Sequence, residues 1–330
     1  MDFLFFLSLL TTIFTVIYLI FNGKTKYVEI FNTFPAVLYI LLFLLSLIFS
    51  LIFKNNISAL LFLFNIIIFL PLMDISFHKR EKREEKTVKI LGWNTLHFYP
   101  PNNQEIADFI NIKNADIISL QEMYKEEVGL HSLFTSLINF RKDDRKSLNN
   151  DHLFLTNTDI KRFFPNYKYI LTSQDKAILS KFPIEFISEE KLFHGFGYFI
   201  AKIKFESQEV YFINAHMPYK FNMTFGYEEK KTIFDKLYTD IENLKGKKII
   251  LEGDFNAAKS SYFIRKLFSI LKEGLEENKT GFLHTWHNAF PIWRIDYFFH
   301  SKNIKCVRAE IFDPQNFSDH KGLITEIVID

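Results

Sequence analysis

The chain has 330 residues, 48% of them hydrophobic and 24% charged, with a formal net charge of +2 and one cysteine. That near-balance argues against a general nucleic-acid binder, which carries clustered lysine and arginine. The lone cysteine, Cys306, excludes an internal disulfide framework.

The apolar excess is concentrated at the N-terminus. Residues 3–21, 35–53 and 57–73 contain no charged side chain, and each run is close to the roughly 17–25 residues a helix needs to cross a bilayer. Three transmembrane helices are therefore expected within residues 1–73. No basic segment precedes the first run and no small-residue cleavage site follows it, which favours a spanning helix over a cleaved signal peptide. Asn65, in the third run, suits a hydrogen bond to a neighbouring helix. The absence of charge inside the runs argues against a transporter built on three spans.

Residues 74–87 hold a mixed run, with Lys79, Arg80, Lys82, Arg83 and Lys86 against Glu81, Glu84 and Glu85, and read as a solvated linker. With three spans, this cluster and the first loop (Lys24, Lys26) share a side opposite Lys54. The positive-inside rule then favours a cytoplasmic C-terminal part, although Glu81, Glu84 and Glu85 dilute the cluster and large domains cross largely regardless of charge.

From Val88 to the end the pattern is mixed. VKILGWN ends in Asn94, ADIISLQE in Glu122, VYFINAH in His216 and KKIILEGDFN in Asp254 and Asn256; WRIDYFF carries Asp296, and Asp319 and His320 precede GLITEIVI. Each polar group alone reads as a turn residue or a satisfied core histidine. Six strand-like runs that all deliver such a group point instead to one cleft at a sheet end. Between them, Ile233, Leu237, Ile241 and Leu244, and then Phe263, Leu267 and Leu271, recur at helical spacing and predict helices that pack on sheet. Cys306, in IKCVRAEIF, reads as a small buried thiol on a strand.

The sequence has no CxxC, no HExxH and no glycine-rich phosphate loop. Carboxylate and amide oxygens suit Mg²⁺ or Mn²⁺ rather than zinc. Phosphate-ester hydrolysis needs a base for water, neutralisation of phosphoryl charge and help for the leaving oxygen, and this set can supply all three.

The ordered set WN (93–94), QE (121–122), AILSKFPI (177–184), NAH (214–216), GDFN (253–256), RIDYFF (294–299) and SDH (318–320) resembles the endonuclease/exonuclease/phosphatase superfamily over roughly residues 88–330. The resemblance implies an α/β fold, a four-layer sandwich of the deoxyribonuclease I type, with its site at one rim. It implies that Glu122 is the main metal ligand, helped by Asn94 and Asp319, and that Asp254 and Asn256 contact the attacking water and the scissile phosphate. By the same resemblance His320, oriented by Asp296, serves as general base or phosphate-stabilising acid, and His216 contacts phosphate and assists the leaving group.

Three N-terminal spans, SSYF after GDFN and TW before RIDYFF are similar to membrane-anchored bacterial members of the VanJ type. That implies an integral protein of the bacterial cell membrane with its catalytic domain outside, opposite to the charge bias, and leaves the side of the membrane open. Ala257 and the stretch 139–152 depart from the pattern and bear on substrate. The expected function is a membrane-anchored, metal-dependent phosphoesterase acting on a phosphate ester or pyrophosphate, with a slight preference for a lipid-linked substrate and a membrane-tethered, metal-dependent nuclease acting on DNA or RNA as the alternative. A non-catalytic binding module on the same fold is the alternative from another class, and no obligate protein partner is implied.

Overall fold

The structure, a computed structural model, describes residues 74–77, 87–96, 103–124, 154–192, 195–205, 208–218, 226–288 and 293–329, with seven positions among the first 73 (9, 13, 16, 20, 48, 60 and 63). In chain order the elements begin with β1 (Ile75–Phe77), β2 (Val88–Asn94), α1 (Asn103–Ile112), β3 (Ile117–Gln121), α2 (Asn157–Phe163), β4 (Tyr169–Ser173) and β5 (Lys176–Ser180). There follow β6 (Ile184–Lys191), β7 (Gly197–Phe205), β8 (Gln208–His216), α3 (Gly226–Asn243), β9 (Lys248–Asp254) and α4 (Tyr262–Ile270). The last are β10 (Lys272–Glu273), α5 (Gly274–Asn278), β11 (Thr280–Phe282), β12 (Asp296–His300), β13 (Lys305–Phe312) and β14 (Gly322–Val328).

Side-chain alternation along these strands builds two faces from each. Ile90, Ile117 and Ile178 point to a core shared with Phe212, Ile250 and Phe298 of the opposite sheet. Their neighbours Leu91, Trp93, Ile118 and Leu120 pack instead against Ile106 and Ile110 of α1 and Ile160 of α2. On the far side Ile213, Leu251, Tyr297 and Phe299 meet Ile233, Phe234, Leu237 and Ile241 of α3 and Phe263 and Leu267 of α4. The layers are therefore helix, sheet, sheet, helix, and both predicted amphipathic helices bury their stripes.

One sheet has the order β13-β14-β2-β3-β5-β4 and the other β10-β12-β9-β8-β7-β6. In each, one central pair is parallel, β2 with β3 and β8 with β9, while every other pairing is antiparallel. Parallel pairing sets the C-terminal ends of two strands side by side, and an antiparallel neighbour adds its N-terminal end. Register makes this concrete: Asn94 lies opposite Gln121, His216 opposite Asp254, and Asp254 opposite Asp296.

One sequence expectation changes. Composition assigns residues 74–87 to a linker, yet Ile75–Phe77 pair antiparallel with Thr280–Phe282 and belong to the folded domain. Three residues are too few for alternation to signal a strand. Among the described residues no helix is long and apolar enough to cross a membrane, and the three expected spans lie almost wholly outside the described residues. So does the stretch 139–152.

Candidate active site

All eight residues singled out in the sequence lie at one rim, linked through Asp254. The Asn94 amide donates from Nδ2 to Glu122 Oε1 at 3.1 Å and to Asp254 Oδ2 at 3.0 Å, while its Oδ1 accepts from the Leu96 N–H at 3.0 Å. That backbone donor fixes the amide's orientation, so Asn94 turns its NH₂ towards the two acids and bridges the sheets. Asn256, at φ 46°, donates from its backbone to Asp254 Oδ1 at 2.8 Å and from Nδ2 to Asp254 Oδ2 at 3.2 Å and Met217 O at 2.9 Å. Buried Lys230 of α3 holds the same turn through Asn256 O at 2.8 Å.

Two histidines flank this carboxylate. His320 Nδ1 lies 3.1 Å from both oxygens of Asp296, and its Nε2 stands 3.7 Å from Asp254 Oδ2 and 3.8 Å from Asp319 Oδ1. His216 Nδ1 lies 2.5 Å from Asp175 Oδ2, and its Nε2 is 3.7 Å from Glu122 Oε1 and 3.8 Å from Asp254 Oδ2. Both dyads leave Nε2 facing the cleft. The His216 Nε2 atom is buried with no hydrogen-bond partner among the described residues.

Charge states follow from burial and neighbours. Burial alone would lower His320, but Asp296 and Asp254 outweigh it and push it up to about 10. Burial likewise works against His216, and Asp175 reverses it, so this imidazole is also raised. Burial pushes Asp254 up to about 6 although His320 opposes the rise. Near neutral pH the rim thus holds the His320 imidazolium beside an ionised Asp254.

Several participants carry no sequence signal of their own. Asp175 follows β4 in the turn SQDK, a polar stretch that reads as turn chemistry. It is fully buried and held below the usual carboxylate range, because Lys176 and His216 together outweigh its burial. Trp286, a sequence landmark without an assigned role, donates from Nε1 to Asp319 Oδ2 at 2.8 Å. Thr285 Oγ1 accepts from the N–H groups of Ile295 and Asp296 at 3.2 Å, which fixes the start of β12. Glu252, between the sheets one strand step behind Asp254, accepts from Gln121 Nε2 at 3.3 Å, and burial pushes it up to about 8.

The donors fit a divalent cation. Glu122, Asp254, Asp296 and Asp319 crowd one rim, and Asp319 Oδ1 is buried without a hydrogen-bond partner among the described residues. Asp254, Asp296 and His320 offer ligand atoms within 4.8 Å of one another. In that trio the imidazole already serves Asp296 and carries its proton, so the carboxylates are the better ligands.

A two-sheet α/β sandwich with paired histidines and carboxylates at one rim defines a metal-dependent hydrolase of phosphate ester bonds. The chain belongs to the endonuclease/exonuclease/phosphatase family, whose profile matches residues 91–320. Its fold is similar to a family protein from Bacteroides thetaiotaomicron at 16% identity and TM-score 0.51, covering 75% of this chain and 100% of that one. A family protein from Bacteroides vulgatus gives 15% identity and TM-score 0.51 over 74% and 100% of the two chains. D. rerio TDP2 complexed with single-strand DNA product gives 13% identity and TM-score 0.50 over 74% and 100%. No curated protein matches the chain.

Proposed function

We propose that this chain is a membrane-anchored phosphoesterase that uses Mg²⁺ or Mn²⁺ to hydrolyse a phosphate ester or pyrophosphate, with a lipid-linked substrate favoured. The observation that carries the reading is the convergence of Glu122 and both histidine dyads on Asp254. Glu122 and Asp319 would hold the cation, with Asn94 steadying Glu122. When bound, the ion neutralises charge on the phosphoryl oxygens and draws Asp254 down in pKa.

The chain's own groups divide the remaining work. Ionised Asp254, held by Asn94 and Asn256, takes a proton from the attacking water as its oxygen bonds to phosphorus. Protonated His320, held by Asp296, donates a hydrogen bond to a phosphoryl oxygen from Nε2. His216, held by Asp175, faces the cleft with an Nε2–H that can pass to the departing oxygen as its bond to phosphorus breaks. The charge states favour His320 as the stabilising acid and Asp254 as the base.

The membrane anchor rests on the three uncharged runs of the sequence. The balanced charge of the rest of the chain supports a lipid phosphate over long DNA or RNA.

The test is full-length protein assayed with Mg²⁺, Mn²⁺ or EDTA against lipid phosphates, inositol phosphates and plasmid DNA. Metal-dependent release of phosphate from lipid is expected, with loss of at least about 10²-fold in Glu122→Ala and His320→Ala at unchanged folding. Turnover that survives EDTA overturns the reading, and cleavage of DNA alone replaces it with a nuclease.

A further inference from the structure

The chain is fastened to its catalytic domain immediately after the last apolar run. That run ends at residue 73, and Asp74 is already buried. Its carbonyl accepts from the Leu283 N–H at 3.0 Å, while its carboxylate lies 3.3 Å from Arg294 Nη1 and 3.6 Å from Lys259 Nζ. β1 then pairs with β11, and Ser76 Oγ donates to Glu276 O at 3.2 Å.

Arg294 is the hub of this fastening. It is 2% exposed, pairs with Glu273 and with Glu276 at 2.9 Å, and stacks 4.6 Å from the Tyr297 ring. Two residues span at most about 7 Å, and Asp296, the partner of His320, is two residues from Arg294. On the other side Trp293 pairs with Trp286, which binds Asp319. The clasp therefore reaches the catalytic rim through both of its neighbours in the chain.

A network of two cations and three carboxylates, of which Arg294, Asp74 and Glu273 are buried, is often no more stabilising than an apolar plug of the same volume. Its distinctive contribution is a fixed geometry between the incoming chain and β12.

We propose that the Asp74–Arg294 clasp is a positioning device that holds the His320–Asp296 rim at a fixed short distance from the membrane in which residues 57–73 end. The substrate it selects is a phosphate headgroup presented at a bilayer surface. This rests on the anchored-phosphoesterase reading above and adds how the headgroup and the site meet. A rim held this close to its anchor works on what the bilayer offers, and it has little reach for a polymer in solution.

The experiment uses full-length protein in phosphatidylcholine vesicles. A flexible Gly/Ser insert of about 20 residues placed between Met73 and Asp74 adds a reach of roughly 25 Å and leaves the clasp intact. Asp74→Asn, which keeps a polar partner for Arg294, loosens it in place. Two probes share one headgroup: dioleoyl phosphatidic acid in the vesicle, and its dibutyryl analogue as a soluble monomer.

The expected result for the insert is at least a tenfold loss on the vesicle lipid, less than a twofold change on the soluble analogue, and an unchanged melting temperature. Asp74→Asn should show a smaller loss with the same preference. Equal rates on both probes before and after insertion, or an equal loss on both, overturn the proposal. So does wild-type protein that cleaves plasmid DNA and neither lipid. If wild-type protein is washed from membranes by alkaline carbonate, or hydrolyses nothing with Mg²⁺, the anchored-phosphoesterase reading itself fails and the clasp proposal falls with it.

Discussion

Asp175 fixes the tautomer of His216 at the candidate site and neutralises a buried lysine at once, since Lys176 Nζ lies 2.8 Å from its other oxygen. Asp175→Asn keeps the shape and removes the charge. The His216 imidazole should then titrate lower, since its chief raising partner is gone, and kcat/KM should fall by about 10²-fold. Histidine NMR titration and steady-state rates check both, and a melting temperature lowered by several degrees should accompany them as Lys176 loses its counter-ion. The same logic sets the pH profile. Activity should rise as Asp254 loses its proton, at about 6 or below once a cation is bound, and fall as His320 loses its own towards about 10. Asp296→Asn removes the carboxylate that does most to raise His320, so its alkaline limb should move to lower pH in a pH–rate series.

At the scale of elements, the crossing of β2 and β9 is the tightest point behind the site. A Cβ on Gly92 would sit 1.8 Å from Glu252 Oε1, so the glycine leaves room for a carboxyl that faces inward from the neighbouring sheet. Gly92→Ser should destabilise by at least about 1–3 kcal/mol through overpacking, measurable by urea unfolding. Glu252 binds its proton more tightly folded, up to about 8, than unfolded near 4.5. Its contribution is therefore complete below pH 4.5 and lost as pH rises through 8. Wild-type protein in EDTA should lose stability between pH 6 and 9, and Glu252→Gln should lose less, so thermal melts at the two pH values should favour the variant increasingly at the alkaline end.

Elements were legible where burial imposes a period. β2, β3, β8, β9, β12 and β14 all lie where apolar alternation or a short apolar run predicts them, and α3 and α4 where a stripe recurs at helical spacing. β1 escaped because three residues hold no period, and Asp175 because the turn of the β4–β5 hairpin looks the same whether or not its carboxylate is buried. The polar ends of the six runs marked the rim. The dyad partners, the bridging role of Asn94 and the support from Trp286 depend on register between sheets, which no single strand encodes.

Across the whole molecule, each sheet brings half of the site. Asn94, Glu122, Asp319 and His320 come from one sheet and His216, Asp254, Asn256 and Asp296 from the other. Catalysis should therefore vanish with the docking of the sheets, and a denaturant titration followed by activity and by tryptophan fluorescence should give coincident midpoints. β14 has a further part in this. It lies between β13 and β2 rather than at an edge, and the loop before it carries His320. Of all the strands in its sheet it is the last to leave the ribosome. Until it slots home, β2 lacks one of its two neighbours and the rim lacks the His320 imidazole. The candidate site is thereby completed only when the last strand of its sheet is in place.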